Sequence, residues 1–162
     1  MSFVEGSIPR EFGTGATLVP GAKAILSSLE TRSARWAIVT SGSRALVEGW
    51  LDVMKLAHPQ HLVVAEDVEN GKPDPECYLL AKKRLDLSPE TLACVVEDST
   101  AGVISGKAAQ CKVLGLATTH SPQQLLEAGA DWVVRDLRDV KIVGREATAE
   151  VTIIIRQSFQ PT

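Results

Sequence analysis

Short apolar runs alternate with amphipathic stretches along most of the chain. The apolar runs have the form of strands covered on both faces and lie at residues 36–39, 62–65, 93–96, 112–117 and 132–134. The stretches between them carry apolar side chains at helical spacing and predict helices at residues 20–29, 43–55, 76–85, 100–109 and 122–128. Strands separated by helices predict an α/β fold, with a parallel, Rossmann-like sheet in a three-layer core.

The two ends of the chain depart from this alternation. Residues 1–19 contain Gly6, Pro9 and Gly13 and predict an irregular linker. Residues 151–155 are β-branched and predict an edge strand. We therefore divide the chain into a linker or the end of a missing element at 1–19, a core at 20–145, and a C-terminal strand and tail at 146–162.

Composition narrows the class of protein. A chain of 162 residues is long enough for one domain with a real core. A net charge of -3 offers no basic field for nucleic acid or acidic membranes, and no apolar stretch reaches the ~18 residues of a membrane helix. The three cysteines form no CxxC pair, which argues against zinc and disulfides and favours a reducing, cytoplasmic setting. Cys94 lies inside a predicted strand and is expected to be buried.

Polar residues stand at or after the ends of the predicted strands. Thr40, Ser41 and Gly42 follow the run at 36–39, and Glu97 and Asp98 follow the run at 93–96. Lys72 lies in the loop Gly-Lys-Pro-Asp-Pro at 71–75. Because ligands of open α/β sheets bind outside the carboxyl ends of the strands, these groups are expected to converge.

The hydroxyl and the lysine suit a phosphate. The Ser41 hydroxyl and the Gly42 backbone N–H at a helix N-terminus can hold phosphate oxygens, and Thr40 is a weaker candidate for the hydroxyl. The alternative for this turn is simple N-capping. The Lys72 ammonium, fixed in a proline-rich loop, can neutralise charge that builds during phosphoryl transfer. The alternative is an ordinary lysine of a surface loop.

The acid pair suits a metal ion. Adjacent, half-buried carboxylates at Glu97 and Asp98 repel each other unless a cation compensates, and Mg²⁺ prefers carboxylate, water and phosphate ligands. The alternative is capping of the following helix by Asp98 or Ser99.

Together these segments resemble a known family. Residues 39–43 (Val-Thr-Ser-Gly-Ser), 71–76 (Gly-Lys-Pro-Asp-Pro-Glu) and 96–102 (Val-Glu-Asp-Ser-Thr-Ala-Gly) are similar to motifs two, three and four of the haloacid dehalogenase-like hydrolases. The likeness runs from about residue 5 to 145 and is strongest to the β-phosphoglucomutase-like branch, especially fungal glycerol-phosphate and 2-deoxyglucose-6-phosphate phosphatases.

The resemblance implies Mg²⁺-dependent hydrolysis of a small phosphorylated metabolite, a glycerol or sugar phosphate, through an aspartyl-phosphate intermediate. In that reading Ser41 and the Gly42 backbone bind phosphate, and Lys72 bridges the nucleophile and the phosphoryl group. Asp98 ligates Mg²⁺ directly, and Glu97 either binds the metal or supports its ligands.

One family motif is absent. The family opens with a strand that ends in Asp-x-Asp-Gly-Thr, whose first Asp is the nucleophile, and no Asp of this sequence stands in such a segment. The helical cap inserted after that motif is also missing, apart from any remnant within residues 1–19. The absent strand is the central one of the family's sheet, between the runs at 36–39 and 93–96, so two apolar edges are expected to be exposed.

Three hypotheses follow. The leading one is an N-terminally truncated, inactive phosphatase that is poorly stable or self-associates. The second is a non-catalytic module that keeps the phosphate-holding residues to bind a ligand or partner. The third is an active enzyme with a nucleophile foreign to the family. Substrate choice is not set by the sequence, because in this branch the cap supplies much of the specificity.

Overall fold

A computed structural model describes residues 2–144 and 150–160. Its helices are α1 (Ser2–Phe12), α2 (Ala22–Thr31), α3 (Arg44–Met54), α4 (Glu76–Arg84), α5 (Thr100–Ala108) and α6 (Pro122–Glu127). Its strands are β1 (Ala37–Val39), β2 (His61–Val63), β3 (Cys94–Glu97), β4 (Lys112–Leu116), β5 (Trp132–Val134), β6 (Val140–Gly144) and β7 (Val151–Ile155). Short 3-10 turns lie at Gly13–Gly15, Ala65–Asp67 and Leu137–Asp139.

The parallel strands form two separate sheets. β1 pairs with β2, with Ile38 opposite Leu62. β4 lies between β3 and β5, with Val96 opposite Leu114. Among the described residues β1 and β3 are each hydrogen-bonded on one side only. The parallel α/β fold is confirmed, and β1 and β3, the two strands expected to flank an unfilled position, belong to separate sheets.

Serine caps set the start of three helices directly after the loops that follow strands. Ser43, Ser99 and Ser121 accept hydrogen bonds from backbone N–H groups in the first turns of α3, α5 and α6. A hydroxyl at this position satisfies a donor that the helix itself cannot pair. The predicted cap at Ser43 is confirmed, and the caps fix where each loop must turn at the carboxyl edge of the sheet.

Apolar clusters cover both faces of the sheet. One cluster joins helices α4, α5 and α6 to the strands and contains Val63, Tyr78, Val95, Val103, Val113, Leu125 and Val133. The other contains Leu114, Leu116, Val134, Leu137 and Val140, with Ile25 of α2 and Ile153 and Ile155 of β7 packed against it. Successive side chains of β4 point to opposite faces of the sheet, so Val113 packs in the first cluster and Leu114 in the second. The three-layer arrangement follows from this alternation.

The irregular segment predicted at 1–19 is wrong for its first part, since α1 occupies residues 2–12 and packs along α3. Gly6 and Pro9, which suggested a linker, instead lie where α1 packs against α3. Pro9 is fully buried, and a Cβ on Gly49 would lie 2.9 Å from its ring. A Cβ on Gly6 would lie 3.1 Å from Cβ of Ala45. Small residues at the crossing allow the two backbones to approach.

The C-terminal strand at 151–155 is confirmed, and it forms an antiparallel pair with β6, which the sequence reading missed. Ile153 and Ile155 pack on the core, so this strand is part of the main structure. The predicted burial of Cys94 is wrong, because Cys94 and Val96 face the side of β3 that the described residues leave open. Within those residues, no helix has the length and apolar character needed to cross a bilayer.

Candidate active site

A cleft of about 350 Å³ opens at the carboxyl ends of β1, β3 and β4. It is lined by Thr40, Ser41, Lys72, Glu97 and Asp98, together with Val19, Val39, Val96, Ser99, Leu116 and Thr118. The structure thus brings five of the six predicted site residues to one place although they are up to 58 positions apart between Thr40 and Asp98. Gly42 does not line the cleft.

Lys72 and Glu97 form an ion pair at the base of the cleft. Their side chains are only 11% and 7% exposed, and the ammonium contacts Glu97 Oε1. The same oxygen accepts a hydrogen bond of 2.7 Å from the hydroxyl of Tyr78. The Lys72 ammonium also lies 5.0 Å from the centre of the Tyr78 ring, within the range of a cation–π contact.

The second oxygen of Glu97 is held by the turn that follows β3. Glu97 Oε2 accepts from the backbone N–H groups of Asp98 and Ser99 and from the Ser99 hydroxyl, at 3.1–3.2 Å. Both carboxylate oxygens are therefore occupied by protein donors. A buried charge is tolerated when it is paired and hydrogen-bonded in this way.

The environment stabilises the charged form of Glu97. Burial alone would raise its pKa, but the Lys72 ammonium and the hydrogen bonds from Lys72, Tyr78 and Ser99 hold the pKa below its ordinary value. Burial and the neighbouring carboxylate raise the pKa of Tyr78 far above that of a free phenol. A raised pKa keeps the Tyr78 phenol protonated near neutral pH, so its hydroxyl can donate to Glu97.

Asp98 is half-buried at the rim of the cleft and is held from the loop after β4. The Thr119 hydroxyl lies 2.8 Å from the Asp98 carbonyl and 3.1 Å from its Oδ2. Nδ1 of His120 lies 3.0 Å from the same carbonyl. A carbonyl only accepts, so Nδ1 carries the proton in that contact. These contacts fix the backbone from which the Asp98 carboxylate projects.

The turn after β1 presents hydroxyl groups. Ser41 is exposed at the cleft, and Thr40 lines it from the end of β1. The Gly42 N–H donates to Thr40 Oγ1 at 3.1 Å, and its carbonyl accepts from Ala65. Gly42 thus shapes the turn in this structure, and its contact with a phosphate stays a prediction.

The loop that carries Lys72 is tied down at both ends. Glu76 accepts hydrogen bonds from the backbone of Glu69 and Asn70, and Ser105 of α5 donates to the Asp74 carbonyl at 2.7 Å. Ser105 is completely buried. The loop therefore has a fixed path between β2 and α4, and Lys72 lies at a defined point of the cleft.

The cleft offers part of what a Mg²⁺ site requires. Asp98 supplies a carboxylate at the rim, and Mg²⁺ is commonly held by one or two carboxylates with water and phosphate oxygens. Glu97 fits less well as a ligand, because both its oxygens already accept hydrogen bonds. No group of three His, Cys, Asp or Glu side chains suited to a metal occurs in the described residues. The donor set thus fits a partial Mg²⁺ site centred on Asp98.

Three residues without a role in the sequence-based prediction hold Glu97 and Asp98 from outside the lining of the cleft. Tyr78 was read only as part of a helix, although it lies six residues after Lys72 and is the single tyrosine of the chain. Thr119 and His120 stand shortly after the predicted strand at 112–117. A polar pair directly after a buried strand was the available signal for both.

Comparison with known proteins supports the resemblance. The family model for haloacid dehalogenase-like hydrolases matches residues 9–116. Glycerol-1-phosphate phosphohydrolase 1 of Saccharomyces cerevisiae is 36% identical over 159 residues, covering 93% of this chain and 64% of that protein. 2-Deoxyglucose-6-phosphate phosphatase 1 of the same yeast is 35% identical over 156 residues, covering 86% of this chain and 63% of that protein.

A solved structure agrees with this assignment. A Thermotoga maritima protein assigned as a β-phosphoglucomutase superposes with a TM-score of 0.61 at 35% identity, covering 71% of this chain and 54% of that one. The predicted likeness to both phosphatase groups and to the β-phosphoglucomutase-like branch is thus confirmed. The chain spans less than two thirds of the length of each of these relatives.

Proposed function

This chain belongs to the haloacid dehalogenase-like hydrolases, and from that premise we propose that it carries the phosphate- and metal-binding part of a phosphatase site. The proposed substrates are small phosphomonoesters, glycerol phosphate or sugar phosphates, as the names of the similar yeast enzymes suggest. The observation that carries the proposal is the buried Lys72–Glu97 pair beside Asp98 and Ser41 in one cleft.

Each side chain has a task in this proposal. Ser41, with Thr40 beside it, donates hydroxyl hydrogen bonds to phosphoryl oxygens, and the Lys72 ammonium neutralises their charge. Glu97 holds Lys72 in place and is itself held by the turn at Ser99. Asp98 is the proposed ligand of Mg²⁺, which when bound would offset negative charge on the phosphoryl oxygens.

The proposal also concerns what the cleft lacks. Among the described residues, the acids that line it are Glu97, whose oxygens are occupied, and Asp98. We propose that turnover requires a further strand between β1 and β3 that ends in an aspartyl nucleophile, and that these 162 residues have no phosphatase activity of their own. The one-sided pairing of β1 and β3 supports this view.

The test is a complementation experiment. Phosphate release from glycerol 1-phosphate and 2-deoxyglucose 6-phosphate with Mg²⁺ is measured for this chain and for a fusion that adds the N-terminal part of the similar yeast phosphohydrolase. We expect turnover only in the fusion, abolished there by Lys72→Met and by Asp98→Asn. Robust turnover by the unfused chain would overturn the claim of inactivity, and a fully folded but inactive fusion would overturn the assignment of the site.

A second candidate is a non-catalytic phosphate-binding module. It is favoured by the fixed path of the Lys72 loop, which keeps its cation at the cleft without any further strand. Binding of inorganic phosphate by the chain, combined with a fusion that gains no turnover, would select this candidate.

The three free thiols, two of them buried, support the expectation of a reducing compartment for either function.

A further inference from the structure

Tyr78 contacts both members of the charged pair at the base of the cleft. Its hydroxyl donates to Glu97 Oε1 at 2.7 Å, and its ring centre lies 5.0 Å from the Lys72 ammonium. Tyr78 itself is only 6% exposed and sits on the inner face of α4, two residues after the start of that helix. It does not line the cleft.

The two contacts constrain the ammonium from two directions. Glu97 Oε1 accepts from both Lys72 and Tyr78, so the hydroxyl fixes where the carboxylate oxygen lies. The aromatic face offers a second attraction for the cation that does not consume a hydrogen-bond acceptor. An ammonium has three donors, and this arrangement leaves donors free for an anion in the cleft.

We propose that Tyr78 is a positioning residue that holds the Lys72 ammonium at the cleft, ready for a phosphoryl group. The inference rests on the proposed function, because it takes phosphate as the ligand of Lys72. Preorganised charge binds an anion without first rearranging the protein, which is the source of the expected gain in affinity.

Packing alone does not account for the residue. Tyr78 belongs to the buried cluster with Val95, Val103 and Val133, where a phenylalanine would fill the same space. The hydroxyl adds a polar group that must find a partner when buried. Its partner here is the carboxylate that also holds Lys72, and not a nearby backbone carbonyl.

The first experiment measures the affinity for inorganic phosphate by calorimetry at a pH near 7. Four proteins are compared: the unaltered chain, Tyr78→Phe, Lys72→Met and the control Val133→Ala. Val133 is fully buried in the same cluster and does not line the cleft. We expect Tyr78→Phe to weaken binding about tenfold, as the loss of one charge-assisted hydrogen bond predicts. Lys72→Met should abolish binding, and Val133→Ala should lower thermal stability without changing affinity.

The outcomes separate this inference from the proposed function. If Lys72→Met abolishes binding while Tyr78→Phe binds as tightly as the unaltered chain, the positioning role is wrong and the phosphate site stands. If Val133→Ala weakens binding as much as Tyr78→Phe, the effect reflects general stability and the inference fails. If the unaltered chain binds no phosphate, the positioning inference fails, whereas the proposed phosphatase site is decided separately by turnover of the fusion.

A second measurement does not depend on a variant at position 78. Because Tyr78 is the only tyrosine, labelling with ¹³C at the phenol carbon gives one resonance from the site. We expect added phosphate to shift this resonance, and Lys72→Met to remove the response. A resonance that ignores phosphate while calorimetry shows binding would overturn the coupling between Tyr78 and the cleft.

Discussion

Gly102 lies with its backbone directly against the carboxylate of Glu97, and a Cβ at position 102 would overlap that carboxylate. The first turn of α5 closes around the same group, since Ser99 Oγ donates to Glu97 and accepts from the Gly102 N–H. The glycine is therefore required for close approach to a buried charge. Replacing it must move either the helix or the acid that holds Lys72.

The substitution Gly102→Ala is expected to lower the free energy of unfolding by about 3 kcal/mol, because overpacking is combined with displacement of a buried carboxylate. Urea unfolding followed by tryptophan fluorescence measures the change. The matched control is Gly15→Ala, where an added Cβ meets no atom within 4 Å. A Gly102→Ala protein as stable as the control would show that Glu97 is not held where the structure places it.

The Lys72–Glu97 pair is expected to show strong energetic coupling. Lys72→Met leaves Glu97 buried without a cation and should cost about 3 kcal/mol. Glu97→Gln leaves the ammonium without a counter-charge and should also destabilise. The double variant removes both charges and is expected to be more stable than the sum of the single changes predicts, by about 2 kcal/mol.

A double-mutant cycle from urea unfolding curves provides this coupling energy. The pair Arg44–Glu48 is the control, since it is an exposed pair one helical turn apart at 3.7 Å and should couple by less than about 0.5 kcal/mol. Equal coupling in the two cycles would contradict the buried ion pair.

The sequence predicted the parallel α/β core because its strands are continuous apolar runs and its helices have clear caps. The predicted strand at 112–117 and helix at 122–128 each differ from β4 and α6 by one residue at the C-terminus. The convergence of Ser41, Lys72, Glu97 and Asp98 followed from one topological rule, that parallel strands end at one edge.

The features that the sequence did not predict depend on contacts between residues that are far apart in the chain. α1 was missed because Gly6 and Pro9 usually interrupt helices, and only packing against Gly49 and Ala45 explains them. The exposure of Cys94 depends on what covers its face of β3, which an apolar run does not reveal. The link from Tyr78 to Glu97 spans 19 positions and needs the fold to be seen.

Stability is expected to fall in acid because of two ion-paired aspartates. The Arg84 hydrogen bonds hold the pKa of Asp67 at about 2. Burial alone would raise the pKa of Asp131, but Lys107, Lys112 and the Val113 N–H bring it to about 2. An aspartate whose pKa is lower in the folded state stabilises the fold at pH values above its ordinary pKa of 3.8. This contribution is lost as the pH falls from about 4 to about 2.

Each of these aspartates should contribute about 1 kcal/mol at pH 7, allowing for screening of their exposed partners. Chemical unfolding between pH 7 and pH 2.5 measures the effect. Asp131→Asn should be less stable than the unaltered chain at pH 7, and most of that difference should vanish by pH 2.5. A difference that stays constant with pH would rule out the ion pairs as its cause.

Within residues 2–144 and 150–160, β1 and β3 each pair on one side only, and this predicts self-association, because unpaired strand edges with apolar side chains bind other strands. Val96 on β3 is 44% exposed and lines the cleft between the two sheets. We expect sedimentation velocity to show dimers or larger species that increase with concentration. Val96→Lys should shift the distribution towards monomer, since a charge on an edge strand opposes further pairing.

The control is Leu79→Lys on α4, where the leucine is 49% exposed but lies on a helix. If Leu79→Lys reduces association as much as Val96→Lys, association is driven by general surface apolarity and not by the open edge. A protein that stays monomeric at all concentrations would refute the prediction outright.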